Sequence, residues 1–118
     1  MVTAVDTARY AEVFAPCYVA LSADDLDERQ LDDALAHLGS LPGAPGYVTD
    51  TFGVRSRFFQ PCNGARVDVI RDAIERDYRS SPLYPVLLTS LIEAADRVDS
   101  TTGVQMAYVK AWARRSFN

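Results

Sequence analysis

The stretch FFQPCNGARVDVIRDAIERDY, residues 58–78, decides the fold, because an unusual loop runs directly into a plain helical pattern. The loop half combines two phenylalanines, a proline, a cysteine and an Asn-Gly pair. Asn63 is of a residue type that caps helix N-termini. In the helical half, apolar side chains recur at helical spacing at Val67, Ile70, Ile74 and Tyr78. We therefore predict a helix that is capped by Asn63 and buries this stripe.

Helical patterns also lie upstream of this stretch. Apolar residues recur from Tyr10 to Leu21, in a helix that Pro16 should kink or end. Ser22 and Asp25 resemble a capping box in front of an acidic helix. The residues of that helix predicted to face inward are Leu31, Ala34, Leu35 and Leu38. Turn chemistry follows in residues 39–46, with residues 47–49 as a short extended piece.

Downstream, Ser81 and Pro82 have the capping hydroxyl and first-turn proline that open a helix. Its predicted inward face consists of Leu87, Leu91, Ala94, Ala95 and Val98. A last helix is predicted from about Gly103, with an apolar face of Val104, Ala107, Tyr108, Ala111 and Trp112. Most of the chain should therefore be helical.

The first residues break this pattern. Val2 to Val5 is a short β-branched apolar run that stops at Asp6, as a strand running into a helix would. A lone strand is not stable without neighbours that pair its backbone groups. The expected fold class is thus an α/β fragment, mostly α, with one N-terminal strand followed by about five helices, whose remaining sheet lies elsewhere.

Composition narrows the functional classes. The chain has 118 residues, 48% hydrophobic and 24% charged, which suits one globular domain. No run is long enough to cross a bilayer and no export signal is visible, so the protein is expected to be cytoplasmic. Cys17 and Cys62 are expected to be free, partly buried thiols. With His37 as the only histidine, no metal site is predicted.

Charge is divided unevenly along the chain. Residues 1–50 carry nine acids and two arginines, whereas residues 51–118 carry seven acids and ten bases. Only the second half could face a polyanion. The alternative is that these arginines are helix-surface partners of nearby acids, as Arg76 with Asp72 or Arg97 with Glu93 could be.

Asp6 has two interpretations. A strand that ends in an acid before a helix is typical of nucleotide-binding α/β sheets, where the carboxylate accepts hydrogen bonds from ribose hydroxyls. The same aspartate is equally suited to cap the helix that follows.

Three segments together resemble one enzyme family. SRFFQPCNGARVDVIRDAIE, residues 56–75, and LLTSLIEAADRVDSTTGVQMAYVKAW, residues 87–112, resemble the central part of the D12 class of adenine-specific DNA methyltransferases. In that family the run F-x-P-x-N-G-x-R-I-D-x-I-R, here residues 59–71, precedes LLxSLxEAADRV, here residues 87–98, and a Tyr-x-K-x-W ending. VTAVDTARYAEV, residues 2–13, resembles the strand, acid and helix that carry the ribose-binding carboxylate.

The resemblance implies S-adenosylmethionine as cofactor, double-stranded DNA as partner, methylation of adenine N6, and a restriction-modification context. Asp6 is the position to which cofactor binding transfers. The family's Gly-rich FxGxG loop and its DPPY motif, which holds the flipped adenine, are both missing from the sequence. The chain is therefore expected to be an internal fragment, with no catalytic residue, that is inactive alone.

The same resemblance implies three regions. Residues 1–21 would be a strand and helix of the cofactor-binding half of a Rossmann-like methyltransferase sheet. Residues 22–50 would be an acidic helix and Pro/Gly linker, and residues 51–118 a helical region in the target-recognition position. The candidate DNA-binding residues are Arg55, Arg57, Asn63, Arg66, Lys110, Arg114 and Arg115. Phe58 or Phe59 would offer an aromatic face to a flipped base, or would only anchor the loop to the core.

The main alternative is a non-enzymatic helical module that binds DNA or protein through its basic half.

Overall fold

The computed structural model describes residue 3, residues 5–103 and residues 110–118. Within these ranges the α-helices are α1 (Ala11–Ala15), α2 (Glu28–Ser40), α3 (Pro61–Tyr78) and α4 (Tyr84–Val98). Shorter helical pieces are the π-helices Pro16–Ala20 and Thr49–Val54 and the 3-10 turns Ala23–Asp25 and Arg114–Phe117. In the described ranges, none of these helices has the length and apolar character needed to cross a membrane.

The predicted N-terminal strand is wrong. The described part of the chain contains no β-strand, and the residues of the predicted strand that fall within it, Thr3 and Val5, lie in irregular backbone. Val5 is 89% exposed. No neighbouring strand pairs with this segment in the described residues, so extended backbone here has nothing to stabilise it. The fold is helical rather than α/β, and only the mostly-α part of the prediction holds.

The core lies where α2, α3 and α4 meet. Its buried apolar residues are Ala34, Leu38, Ala73, Ile74, Leu83 and Leu87. Four of these, Ala34, Leu38, Ile74 and Leu87, were predicted to face inward from helical spacing, and they do. Leu35 was predicted inward but is exposed, because Ala34 and Leu38, one turn apart, form the side of α2 that joins the core.

Helix boundaries follow local chemistry. Helix α1 ends just before Pro16, as predicted, because proline has no N–H to continue the helical hydrogen bonds. Wider π turns follow from Pro16. The capping box is confirmed: the Ser22 N–H donates to Asp25 Oδ2 at 3.0 Å, and Ser22 Oγ accepts from the Asp24 N–H at 3.4 Å. It caps only the three-residue turn Ala23–Asp25, however. Helix α2 is capped instead by Asp27, whose Oδ1 accepts from the Arg29 N–H at 3.0 Å.

The later helices begin at slightly different residues from those predicted. Helix α3 starts at Pro61, so Asn63 lies inside its first turn and is not the cap. Helix α4 starts at Tyr84, and Ser81 Oγ accepts the Leu83 N–H at 3.1 Å in the turn before it. Most of the predicted last helix, residues 104–109, lies outside the described residues, and residues 110–113 are not helical. Both cysteines are free, although Cys62 is exposed rather than partly buried.

Candidate functional site

A buried carboxylate in α3 organises the loop that precedes it in sequence. Asp68 is only 3% exposed. Its Oδ2 accepts hydrogen bonds from the Gly46 N–H at 2.9 Å and the Thr49 N–H at 2.8 Å, and also from the Thr49 hydroxyl at 2.7 Å. Its Oδ1 accepts from the Val48 N–H at 2.8 Å. Asp68 therefore caps, across the tertiary structure, the helical segment that begins at Tyr47.

This arrangement keeps Asp68 ionised. Burial alone would raise the pKa of Asp68, but the hydrogen bonds from Thr49, Val48 and Gly46 together lower the pKa below its ordinary value. A charged acceptor makes stronger hydrogen bonds than a neutral one. The ionised Asp68 thus holds the loop, and the backbone N–H groups of the loop stabilise the negative charge of Asp68.

Two glycines permit the close approach of this loop to α3. A Cβ built on Gly64 would lie 2.9 Å from Thr49 Cα, so the two backbones touch at this point. A Cβ on Gly46 would lie 2.9 Å from Asp68 Cγ. A side chain at Gly64 would collide with the Thr49 backbone. The glycine of the Asn-Gly pair therefore has a packing role.

The loop held in this way carries a row of aromatic rings, formed by Tyr47, Phe52 and Phe58. The Tyr47 and Phe52 rings are 6.0 Å apart, and the Phe52 and Phe58 rings 6.3 Å apart, both edge-to-face. Tyr47 is 61% exposed and Phe52 36% exposed. The Phe59 N–H donates to the Phe52 carbonyl at 2.9 Å and ties the two ends of the loop together. We call these three rings the aromatic row.

The start of α3 also holds the C-terminal turn. The buried Asn63 donates its Nδ2 to the Ser116 carbonyl at 2.8 Å, and Gln60 Nε2 donates to the same oxygen at 3.0 Å. The Ala113 N–H donates to Ser100 Oγ at 2.9 Å, and the Ser100 N–H donates to the Phe58 carbonyl at 2.6 Å. These bonds link the aromatic row to residues 110–118.

Four of the predicted cationic residues lie in the loop of the aromatic row or in the C-terminal segment, residues 110–118, that is bonded to it. Arg57, whose φ is 56°, places its guanidinium carbon 4.8 Å from the centre of the Trp112 ring. Lys110 and Arg114, two positions either side of Trp112, are both exposed. Arg55 is exposed and pairs with Asp50 at 3.0 Å. Arg55 and Arg57 thus belong to the loop that carries the aromatic row, and the contact between Arg57 and Trp112 joins this loop to the segment that contains Lys110 and Arg114.

The other candidates make intramolecular contacts. Arg66 donates to the Gly39 carbonyl at 3.2 Å, in the last turn of α2. Arg115 contacts the Asp99 carboxylate and donates to the carbonyl oxygens of Asp99 and Thr101, both at 2.9 Å. Asn63, as described, is occupied by Ser116. Asn63 and Arg115 thus hold the C-terminal turn, and Arg66 ties α3 to the end of α2.

The alternative interpretation of the basic half holds for α3. Arg71 contacts Asp72 at 2.9 Å, Arg76 contacts Asp77 at 2.7 Å, and Arg79 pairs with Glu75. Arg76 thus pairs with the adjacent acid rather than with Asp72. The exposed face of α3 is therefore largely neutralised.

Asp6 lies near the N-terminus, in irregular backbone. Its Oδ1 accepts the Ala8 N–H at 2.8 Å in the turn before α1, whose N-cap is Tyr10, so Asp6 does not cap that helix. It also borders a cavity of about 440 Å³ whose lining includes Tyr10 and Phe14. Its predicted position at a sheet edge is lost with the strand.

Tyr47 and Phe52 were not among the candidates predicted from sequence. Residues 47–49 were expected to be extended, but they begin a helical segment. The signal that could have revealed this is Asp68, an acid that shares one face of α3 with the small residues Gly64 and Ala65, one turn earlier.

Comparison with known proteins gives two partial matches. The chain is 39% identical over 74 residues to a type II methyltransferase, M.CviAII, of Paramecium bursaria Chlorella virus 1; the match covers 59% of this chain and 23% of that protein. It is 40% identical over 60 residues to the modification methylase StsI of Streptococcus sanguinis, covering 48% of this chain and 9% of that protein. No family model and no solved structure matches. The chain thus shares a segment with methyltransferases and spans less than a quarter of the length of either relative.

Proposed function

We propose that this chain is part of a site-specific DNA methyltransferase, which transfers a methyl group from S-adenosylmethionine to adenine N6 in DNA. The observation that carries the proposal is the 39% identity over 74 residues with a type II methyltransferase. The names of both relatives fit the modification half of a restriction-modification system. The choice of adenine rests on the resemblance to the D12 class.

The structure gives the D12-like motif at residues 59–71 a physical task that supports the proposal. Its Asn63 holds the C-terminal turn, its Gly64 allows the loop to touch α3, and its Asp68 caps the loop. A motif of this kind maintains one surface: the aromatic row with the cations beside it. We propose that this surface faces DNA.

Phosphate contacts on this surface would come from Arg55, Arg57, Lys110 and Arg114. All four are exposed, and cations on one surface are what phosphate binding requires. In this proposal Asn63 and Arg115 support the surface through the hydrogen bonds that hold the C-terminal turn, and Arg66 ties α3 to α2.

The methyl donor is a separate element of the proposal. The cavity beside Asp6 is within the size range of small-molecule sites and combines a carboxylate with the rings of Tyr10 and Phe14. These residues fit a nucleoside part, since a carboxylate accepts hydrogen bonds from ribose hydroxyls and rings pack on a base. When bound, S-adenosylmethionine would supply the methyl group. Asp6 would only hold it.

The methylation test has two arms. The native reading frame that encodes these residues is expressed in a host without DNA methylation, and the host DNA is digested to nucleosides for mass spectrometry. We expect N6-methyldeoxyadenosine from the native frame and none from the 118-residue chain alone. Methylated cytosine in place of methylated adenine would contradict the adenine assignment, and no methylated base at all would contradict the enzyme assignment.

A second candidate is a helical binding module that contacts DNA without methylating it. It is favoured by the core of α2, α3 and α4, which is formed entirely by described residues of this chain. Duplex binding by a protein whose native frame methylates nothing would support this alternative over the enzyme.

A further inference from the structure

We propose that Arg57 and Trp112 together form a receptor for one phosphate group. In this receptor the Trp112 ring holds the Arg57 guanidinium in place, and the guanidinium donates its N–H groups to phosphate oxygens. The inference rests on the proposed function, because it names the two residues that would hold a backbone phosphate of DNA. Three observations carry it: the backbone of Arg57, its contact with Trp112, and the partners of the other arginines.

Arg57 has a backbone conformation that residues with side chains rarely adopt. Its φ is 56°, and in the described part of the chain it is the one residue other than glycine with a positive φ. This left-handed region costs energy for a residue with a Cβ. On one side of Arg57, the Ser56 hydroxyl donates to the Thr51 carbonyl at 2.6 Å. On the other side, the Phe58 carbonyl accepts the Ser100 N–H at 2.6 Å. A strained residue that its surroundings keep in place is a candidate for function.

The side chain of Arg57 is ordered by an aromatic ring rather than by an acid. Its guanidinium carbon lies over the Trp112 ring, 4.8 Å from the ring centre. A cation over an aromatic face is attracted by the ring electrons, and this attraction uses none of the hydrogen-bond donors of the guanidinium. Within the described ranges, the Arg57 side chain has neither a hydrogen-bond acceptor nor a carboxylate partner. Its N–H groups are therefore available for a ligand.

Most of the other arginines in the basic half already have partners. Those in contact with a carboxylate are Arg55, Arg71, Arg76, Arg79 and Arg115. Arg66 donates to the Gly39 carbonyl. The acid next to Ser100, Asp99, is the one that Arg115 contacts. Among the described residues, Arg57 thus combines an ordered guanidinium with a positive charge that no carboxylate balances.

A phosphate group is the ligand that fits this guanidinium. The planar fork of N–H groups matches two oxygens of one phosphate or carboxylate. Residues 110–118, which contain Trp112, carry three cations and no acidic side chain. A polyanion such as the DNA backbone gains from these further charges, whereas a single carboxylate does not. Inorganic phosphate has the same chemistry and is therefore included in the test.

The test measures binding of a short, fully paired, labelled duplex by fluorescence anisotropy at several salt concentrations. We expect Arg57→Ala to weaken binding about tenfold and to reduce the slope of log affinity against log salt by about one, as the loss of one phosphate contact does. Trp112→Leu should weaken binding about twofold to fivefold although it removes no charge, because the guanidinium loses its support. Trp112→Phe keeps an aromatic face and should stay within about twofold of the wild type.

The matched control is Arg55→Ala. Arg55 is an exposed arginine in the same loop, two positions before Arg57, but it pairs with Asp50 at 3.0 Å. Its removal should weaken binding by no more than about threefold, because its charge is already balanced. Arg57→Lys keeps the charge and loses the planar fork, so the salt slope should be restored while the affinity stays about threefold below that of the wild type. Circular dichroism checks that each variant is folded; Arg57→Gln, with the same expected loss, replaces Arg57→Ala if the latter unfolds.

A double-mutant cycle separates support of Arg57 from direct contact with DNA. If Trp112 acts through Arg57, the variant with both Arg57→Ala and Trp112→Leu should lose no more affinity than Arg57→Ala alone. Additive losses would mean that Trp112 contacts DNA by itself, and would overturn the receptor.

The emission of Trp112, the sole tryptophan, separates the two sources of phosphate. At matched ionic strength the duplex should change this emission at a phosphate-group concentration at least about tenfold lower than inorganic phosphate needs. If inorganic phosphate acts at the same or a lower concentration, the receptor serves free phosphate and the inference is wrong.

The outcomes separate this inference from the proposed function. Unchanged duplex affinity in Arg57→Ala would overturn the receptor, and would leave the methyltransferase assignment intact if the native frame methylates adenine. Loss of duplex affinity in Arg57→Ala and Trp112→Leu, but not in Arg55→Ala, would support the receptor even if the native frame methylated nothing. Absence of any duplex binding at low salt would overturn both the receptor and the DNA-facing surface.

Discussion

Replacing Asp68 with asparagine should destabilise the protein more than any other single charge removal on α3. An amide of the same shape keeps one carbonyl oxygen. Placed where Oδ2 lies, that oxygen retains the bonds from Gly46 and Thr49, but the amide nitrogen then faces the Val48 N–H, which is itself a donor. One charge-assisted bond is lost, one buried donor is left without an acceptor, and the retained bonds become neutral. We estimate the loss at about 3 kcal/mol of unfolding free energy.

The measurement is urea unfolding followed by circular dichroism at neutral pH, with Asp72→Asn as the control. Asp72 is an exposed acid on the same helix, in a surface contact with Arg71, so its loss should change stability by no more than about 0.5 kcal/mol. In thermal melts the Asp68 variant should lose roughly 10 °C. Equal stability of the two variants would refute the assignment of Asp68 as the organiser of the loop.

The pH dependence of stability provides an independent check on the same residue. Because the pKa of Asp68 is lowered in the folded protein, its contribution is fully present above the ordinary carboxyl value of 3.8 and is lost as the pH falls through the lower folded-state pKa. The wild type should therefore lose more stability than Asp68→Asn on acidification below that value. Parallel curves for the two proteins would contradict an ionised, hydrogen-bonded Asp68.

Gly64→Ala should cost about 1 to 3 kcal/mol of unfolding free energy, because the new Cβ meets the Thr49 backbone at 2.9 Å. The control Gly39→Ala meets nothing within 4 Å and should be neutral or stabilising in α2; equal costs in urea unfolding would count against the close approach. Asn63→Ala should release the C-terminal turn and shift the fluorescence of Trp112, the sole tryptophan, to longer wavelength; an unchanged emission spectrum would mean that Asn63 does not hold the turn.

Helical spacing predicted the core well. The stripe of α3 and the inward residues of α2 and α4 follow a local period, and local periods are readable from sequence. Ile74 and Leu87, two of the most deeply buried side chains, were both identified in this way.

The site was harder to predict, because its bonds join residues far apart in sequence. Asp68 looks like one more polar residue of an amphipathic helix, and only the fold brings it to Thr49. Asn63 matches a helix cap by type, but its amide bonds Ser116 instead. The prediction of an N-terminal strand was wrong for a different reason. The local pattern of β-branched residues favours extended backbone, but a strand also needs a neighbouring strand to pair with, and no local pattern supplies one.

Photo-crosslinking tests the central claim, that the aromatic row and its cations face DNA, most directly. A duplex with one unpaired 5-iododeoxyuridine is irradiated with the chain, and the crosslinked peptides are mapped by mass spectrometry. We predict crosslinks to Tyr47 or Phe52, and in second place to the segment around Trp112, all suppressed by high salt. Crosslinks confined to the acidic helix α2, or none at all at low salt, would contradict the account.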